Sequence, residues 1–206
     1  MNKKALIVVD PQNDFISGTL TVPHAEEIIE MINKLTAVKE FDHIIFTQDW
    51  HPLNHKSFIT AHPNNNVFDV IDMDGIKQTI WTVHCVQHTW GSEFHKDLNM
   101  DIPNLSIFKK GMDVDVDSHS GFFDNKHDKS TGLKEFLQLN NVIDVFICGL
   151  ATDVCVEYTA NDSIDEWFNT TVIIDACRGI SEDLNPCYYR MEQRGIKLVE
   201  YMDLVV

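Results

Sequence analysis

The chain has 206 residues, 44% of them hydrophobic and 23% charged, which is enough for one domain with a substantial core. No run approaches about 18 consecutive apolar residues, so no helical membrane span is expected. A net charge of −16 argues against nucleic acid or an anionic membrane as partner, because phosphate selects clustered Lys and Arg, and it suits a neutral or cationic small substrate.

The chain opens Met1-Asn2-Lys3-Lys4 and then runs apolar to Asp10. That run is too short for the apolar part of a signal peptide and ends in a carboxylate, so a first strand is expected over Ala5–Val9 and a cytoplasmic location follows. Ile28, Ile29, Ile32 and Leu35 fall at helical spacing and predict a helix over Ala25–Val38. A second strand is expected at His43–Thr47. The stretch from Trp50 to Leu105 lacks periodicity and is rich in His, Asn, Pro and Asp; a long irregular stretch in a compact domain usually carries function. Further strands are expected at Ser106–Phe108, Val142–Cys148, Thr171–Asp175 and Lys197–Tyr201. Helices are expected at Thr131–Leu139, Asp153–Phe168 and around Asn185–Arg194. Several strand runs are apolar throughout, which requires cover on both faces. The alternation therefore predicts an α/β fold, a three-layer α/β/α sandwich on a mainly parallel six-stranded sheet with right-handed crossovers. No repeat or linker divides residues 1–206, so a single domain is expected. Five cysteines at irregular spacing, without C-x-x-C, point to free thiols in a reducing compartment.

Open α/β sheets bind ligands where strands end. Asp10 ends the first strand in Asp10-Pro11-Gln12-Asn13-Asp14-Phe15 and is placed for acid/base work, although a strand-end Asp is commonly a turn former. Asp49 and His51 end the second strand two residues apart, on one side, as half of a metal site. Of the histidines that follow (His55, His62, His84, His88, His95), His84 is the strongest third donor, since its apolar neighbours Ile80, Trp81 and Val83 bury it. Lys109 and Lys110 alternate at the end of the third main strand, so one of them faces the site. Cys155 follows the fourth in a turn that opens a helix. There the helix dipole favours a thiolate, and free N–H groups are available to an oxyanion. No histidine follows Cys155, so its activating partner must come from earlier in the chain: a lysine to stabilise the thiolate, a carboxylate to move protons.

In order and spacing, these segments resemble the isochorismatase-like cysteine hydrolases, and among them the nicotinamidases. The matching pieces are Asp10-Pro11-Gln12-Asn13-Asp14-Phe15, Asp49-Trp50-His51-Pro52 with Asn54-His55-Lys56-Ser57-Phe58, and Trp81 with His84-Cys85-Val86-Gln87. Then come Gly91-Ser92-Glu93-Phe94-His95, Lys110-Gly111, Asp117-Ser118, Ser120-Gly121-Phe122, and Gly149 to Val156 with Thr159-Ala160. The resemblance implies an isochorismatase-like, Rossmann-like fold and a triad of Asp10, Lys110 and Cys155. It implies one divalent metal on Asp49, His51 and His84 with Ser57 as a further contact: zinc is the expected ion, iron or manganese the alternatives. It also implies an oxyanion hole from Ala151 and Cys155, a cis peptide between Ala151 and Thr152, and nicotinamide held between Phe15 and Trp81. The sequence departs from the usual pattern at Thr19, Thr82, His88 and His119; His119 stands where tyrosine is usual and is expected to line the substrate pocket. An amidohydrolase for carbamoyl or ureido substrates is the nearest alternative, and a catalytically silent binding module is the alternative of another class. Homo-oligomer formation is left open.

Overall fold

The computed structural model describes residues 2–204. Six parallel strands form one sheet: β1 (Lys3–Val9), β2 (His43–Asp49), β5 (Leu105–Lys110), β6 (Val142–Leu150), β7 (Asn169–Arg178) and β8 (Lys197–Val199). Their spatial order is β5-β2-β1-β6-β7-β8, and every adjacent pair is parallel. All six expected strands are present, most of them a residue or more longer than their apolar runs. The reason is visible in β1: Ala5, Leu6, Ile7, Val8 and Val9 are all fully buried, so successive side chains are covered on both faces.

The helices are α1 (Asn13–Ile16), α2 (Ile28–Thr36), α3 (Leu133–Leu139), α4 (Glu157–Asp165) and α5 (Asn185–Gln193). In α2 the predicted stripe of Ile28, Ile29, Ile32 and Leu35 is buried, each side chain contributing about 1.5–3 kcal/mol of transfer free energy. The first turn of that predicted helix, Ala25–Glu27, is 3₁₀. The strand order reverses direction about β1. With right-handed crossovers, α2 then lies on one face and α3, α4 and α5 on the other.

The irregular stretch after β2 contains one hairpin, β3 (Val70–Met73) with β4 (Ile76–Thr79), which the sequence pattern did not predict. Its β3 strand alternates exposed and half-buried residues and packs no core face. The helix expected from Asp153 begins instead with a π turn over Thr152–Val156, in which Val156 N–H donates to Ala151 O across five residues at 3.1 Å. The cis peptide is Leu150-Ala151, one bond earlier than expected, at the point where β6 ends and the turn begins.

Parallel register sets the height of the strand ends. Asp49 pairs with Lys110 and Val9 with Gly149. The polar residues ending β1, β2 and β5, and the turn after β6, therefore share one edge of the sheet, at the point where the strand order reverses.

Candidate active site

Asp10, Lys110 and Cys155 come together although they start on different strands. At about 4.8 Å per strand, β5 and β6 stand about 14 Å apart. The lysine stem spans much of that gap, and Cys155 lies beyond its strand, in the π turn. Lys110 Nζ is 2.9 Å from Asp10 Oδ2, 2.5 Å from Asp49 Oδ1 and 3.4 Å from Cys155 Sγ, and it donates to Ser118 O at 3.0 Å. Lys110 is 2% exposed, whereas Lys109 points away and sits over the Trp50 ring at 3.4 Å. Alternation along β5 thus admits one lysine, as expected.

Three buried charges and a thiol in contact reset one another's protonation. Burial pushes the Lys110 ammonium down, but Asp10, Asp49 and Cys155 outweigh it and hold its pKa well above the usual lysine value. Burial raises Asp10; Lys110 opposes, Asp49 adds, and the net direction is up. Burial likewise pushes Cys155 well above the thiol range, against the pull of Lys110 and with help from Asp10 and Asp49. The helix-dipole expectation of a depressed thiol is therefore overturned in the resting protein, because desolvation and two carboxylates outweigh one ammonium. A protonated thiol needs a base beside it, and the raised Asp10 carboxylate stands in that position.

Asp49, His51 and His84 are all buried, with donor atoms within 4.8 Å of one another. Asp49 Oδ2 lies 3.5 Å from His51 Nε2 and 3.8 Å from His84 Nε2. Bonds of about 2.1 Å to a tetrahedral ion put its ligands about 3.4 Å apart, so these donors fit such an ion with little closure. The Nδ1 atoms are already committed, His51 to Gly111 O and His84 to Thr82 O, both at 2.8 Å. That fixes each ring with Nε2 turned toward the site. Gly111 is required here: its φ is +64°, and an added Cβ would lie 2.3 Å from His51 Cε1.

Ser57 is buried, but its hydroxyl engages His55 Nδ1 at 2.7 Å. His55, which the sequence ranked below His84, packs its ring 4.5 Å from that of His51 and forms with His51 and Asp117 a second buried donor group. Burial pushes His55 down to about 4, so its ring is neutral near pH 7.

Other supports lie outside the expected set. Gln12 Nε2 donates to Asp49 O and Ser92 O at 2.8 and 2.9 Å, and its Oε1 accepts from Asp49 N at 2.8 Å. Asp14 reaches across to accept Cys85 N–H at 2.7 Å. Asp153 accepts Ile180 N–H and Ser181 N–H at 2.8 and 2.9 Å, holding the loop after β7 against the π turn. Such residues signal their roles only through partners distant in sequence.

One cleft joins the parts. Asp49, His51 and His84 line it together with Ala151, Val154 and Cys155, as do Phe15, Trp81, Asp117 and His119. Phe15 and Trp81 flank His84, at ring-centroid distances of 5.4 and 6.4 Å. His119 lines the cleft as expected, edge-on to Trp81.

A parallel α/β sheet that gathers a buried carboxylate, lysine and cysteine beside a carboxylate–imidazole donor set defines a class of hydrolase. The chain belongs to the isochorismatase family, whose domain matches residues 4–199. It is 39% identical to a nicotinamidase of Acinetobacter baylyi over 208 aligned positions, covering 100% of this chain and 96% of that one. Its structure is similar to a nicotinamidase/pyrazinamidase of Acinetobacter baumanii, with a TM-score of 0.94, 40% identity and 99% of each chain covered. It is also similar to the Pyrococcus horikoshii pyrazinamidase in complex with zinc, with a TM-score of 0.78, 35% identity and 97% and 99% covered.

Proposed function

We propose that this protein is a nicotinamidase, which hydrolyses nicotinamide to nicotinate and ammonia through a thioester on Cys155, as a cytoplasmic step of NAD salvage. The observation that carries this reading is the reach of Lys110, whose ammonium contacts Asp10, Cys155 and Asp49 at once and so couples a nucleophile to a ligand-orienting centre. The full-length similarity to nicotinamidases supports it.

Asp49, His51 and His84 hold a divalent ion in this reading, with zinc proposed by analogy with the Pyrococcus structure. When bound, that ion supplies a Lewis acid that orients the pyridine nitrogen. Phe15 and Trp81 hold the ring between them. Asp10 takes the Cys155 proton as sulfur attacks the carboxamide carbon. N–H groups of Ala151 and Cys155 receive the oxyanion, a contribution on the order of 3 kcal/mol per donor. Asp10 then gives its proton to the departing ammonia and acts as base for the water that cleaves the thioester. Lys110 stays charged throughout and balances the changing charge of Asp10 and Cys155.

Ammonia release from nicotinamide by the purified protein is the direct test. Cys155→Ala should abolish release while nicotinamide still binds; turnover by that variant would rule out the covalent route. His51→Ala and His84→Ala should each lose bound metal on elemental analysis. Unchanged metal content in both would remove the ligand set.

A further inference from the structure

The backbone on both sides of His84 is held by residues from α1 and the turn after it. Asp14, in α1, is buried, and both its carboxylate oxygens are used: Oδ2 accepts Cys85 N–H at 2.7 Å and Oδ1 accepts Thr19 N–H at 3.1 Å. Thr19 in turn donates its hydroxyl to Val83 O at 2.7 Å. Val83 O belongs to the peptide before the His84 Cα and Cys85 N–H to the peptide after it, so both flanking peptides are pinned. The ring is pinned as well, through Nδ1 and Thr82 O at 2.8 Å. The carboxylate has little room to swing away, since a Cβ added at Gly18 would lie 2.3 Å from Oδ1 and one at Gly91 2.0 Å from Oδ2. Cys85 has φ +44°, a backbone conformation that a side chain disfavours, so this segment keeps its shape only under constraint. Cys85 O also accepts His51 N–H at 3.0 Å, which ties the same segment to the other imidazole of the donor set.

We propose that Asp14 and Thr19 are positioning residues for the metal centre: together they clamp the peptides on either side of His84 and aim its Nε2 before the ion arrives. This rests on the reading of His84 as a metal ligand. The physical effect is pre-organisation. A ligand already aimed loses little freedom when the ion binds, whereas an unclamped one must be ordered at the expense of affinity. Thr19 is one of the positions where the sequence departs from the usual pattern, so that half of the clamp comes from a residue the family pattern does not predict.

The zinc-loaded, full-length protein tests this. Zinc Kd is read by competition with a chromophoric chelator well below the melting temperature, with Tm of the zinc-stripped protein measured beside it. Thr19→Val keeps the shape and removes the hydroxyl; zinc Kd should rise about fivefold, the size of one lost neutral hydrogen bond. Asp14→Asn leaves one acceptor oxygen for two N–H donors, and Kd should rise about tenfold. Thr19→Ser keeps the hydroxyl and should hold Kd within about twofold of wild type. A role confined to folding would lower Tm and leave the zinc Kd of the folded protein unchanged. That result, or a Ser variant as weak as the Val variant, overturns the clamp. Should Asp14→Asn not fold, the two Thr19 variants decide. His84→Ala checks the underlying reading: wild type that binds no zinc, or a His84→Ala protein that binds it as tightly, defeats His84 as a ligand and this inference with it. Zinc binding that depends on His84 but ignores the Thr19 and Asp14 variants defeats only the clamp.

Discussion

Thr47 sets how readily Asp10 holds a proton. Its hydroxyl donates to Asp10 Oδ1 at 2.6 Å and accepts Asp10 N–H at 3.2 Å. Burial raises the Asp10 carboxyl, and Thr47 is one of the groups pulling it back down. Thr47→Val keeps the shape and removes the donor, so the pKa should rise further. Asp10 must be ionised to take the thiol proton, so the acid limb of kcat/KM should move to higher pH, with a loss of about tenfold at neutral pH. A pH–rate profile checks this; an unmoved acid limb would remove Asp10 as the base. Asp10 was legible at the end of an apolar strand and Cys155 in the turn just past one, while strand alternation left Lys109 and Lys110 open and only the family resemblance singled out Lys110. Thr47 was not legible, because it sits inside a strand and reads as an ordinary β-branched residue. Gln12 and Asp14 were illegible as supports for the same reason: what distinguishes them is the partner each one meets.

At the scale of elements, α4 follows the π turn that carries Cys155 and holds a weak point of its own. Asp162, on this helix, is buried with Oδ2 unpaired. Burial raises its pKa, Ser120 and His127 oppose, and Asp165 and Glu166 add. A carboxyl raised on folding favours the folded state only while protonated, below its unfolded value of about 3.9; that contribution is lost as pH rises through the folded pKa. At neutral pH the buried charge is a cost. Asp162→Asn should therefore stabilise the protein by about 1 kcal/mol at pH 7, the low end for an unsatisfied buried acceptor, and the gain should vanish below about pH 4. Urea unfolding at both pH values measures it, and a loss of stability at pH 7 would contradict the account. The neighbouring strand β6 has its own constraint. Gly149 has φ +119°, and an added Cβ would lie 2.2 Å from Val9 O, so β1 and β6 approach closely just where their polar ends begin. The main strands and helices were legible because each buries a periodic apolar pattern. The β3–β4 hairpin and the π turn were not, since neither has a pattern of its own: one is largely half-buried or exposed and the other is five residues of a continuing helix.

At the scale of the whole molecule, 32 acidic side chains face 16 basic ones. Self-repulsion of a net −16 opposes compactness, and salt screens it over a Debye length of about 10 Å at 0.1 M. Raising NaCl from about 10 to 300 mM should therefore raise Tm by about 2–4 °C, equivalent to about 1 kcal/mol at this size. A Tm that falls over that range would show that attractive surface pairs outweigh the net charge. By itself the sequence determined the strands and helices, the acidic surface and the polar residues at strand ends, since periodicity and residue type are local properties. Tertiary structure decided that Lys110 and not Lys109 turns inward, that Ser57 serves His55, that Asp14 reaches Cys85, and that Cys155 keeps its proton at rest. Those outcomes depend on burial and on charges brought within about 4 Å by strand order and register, and Coulomb and desolvation effects at that range belong to the assembled site rather than to any segment.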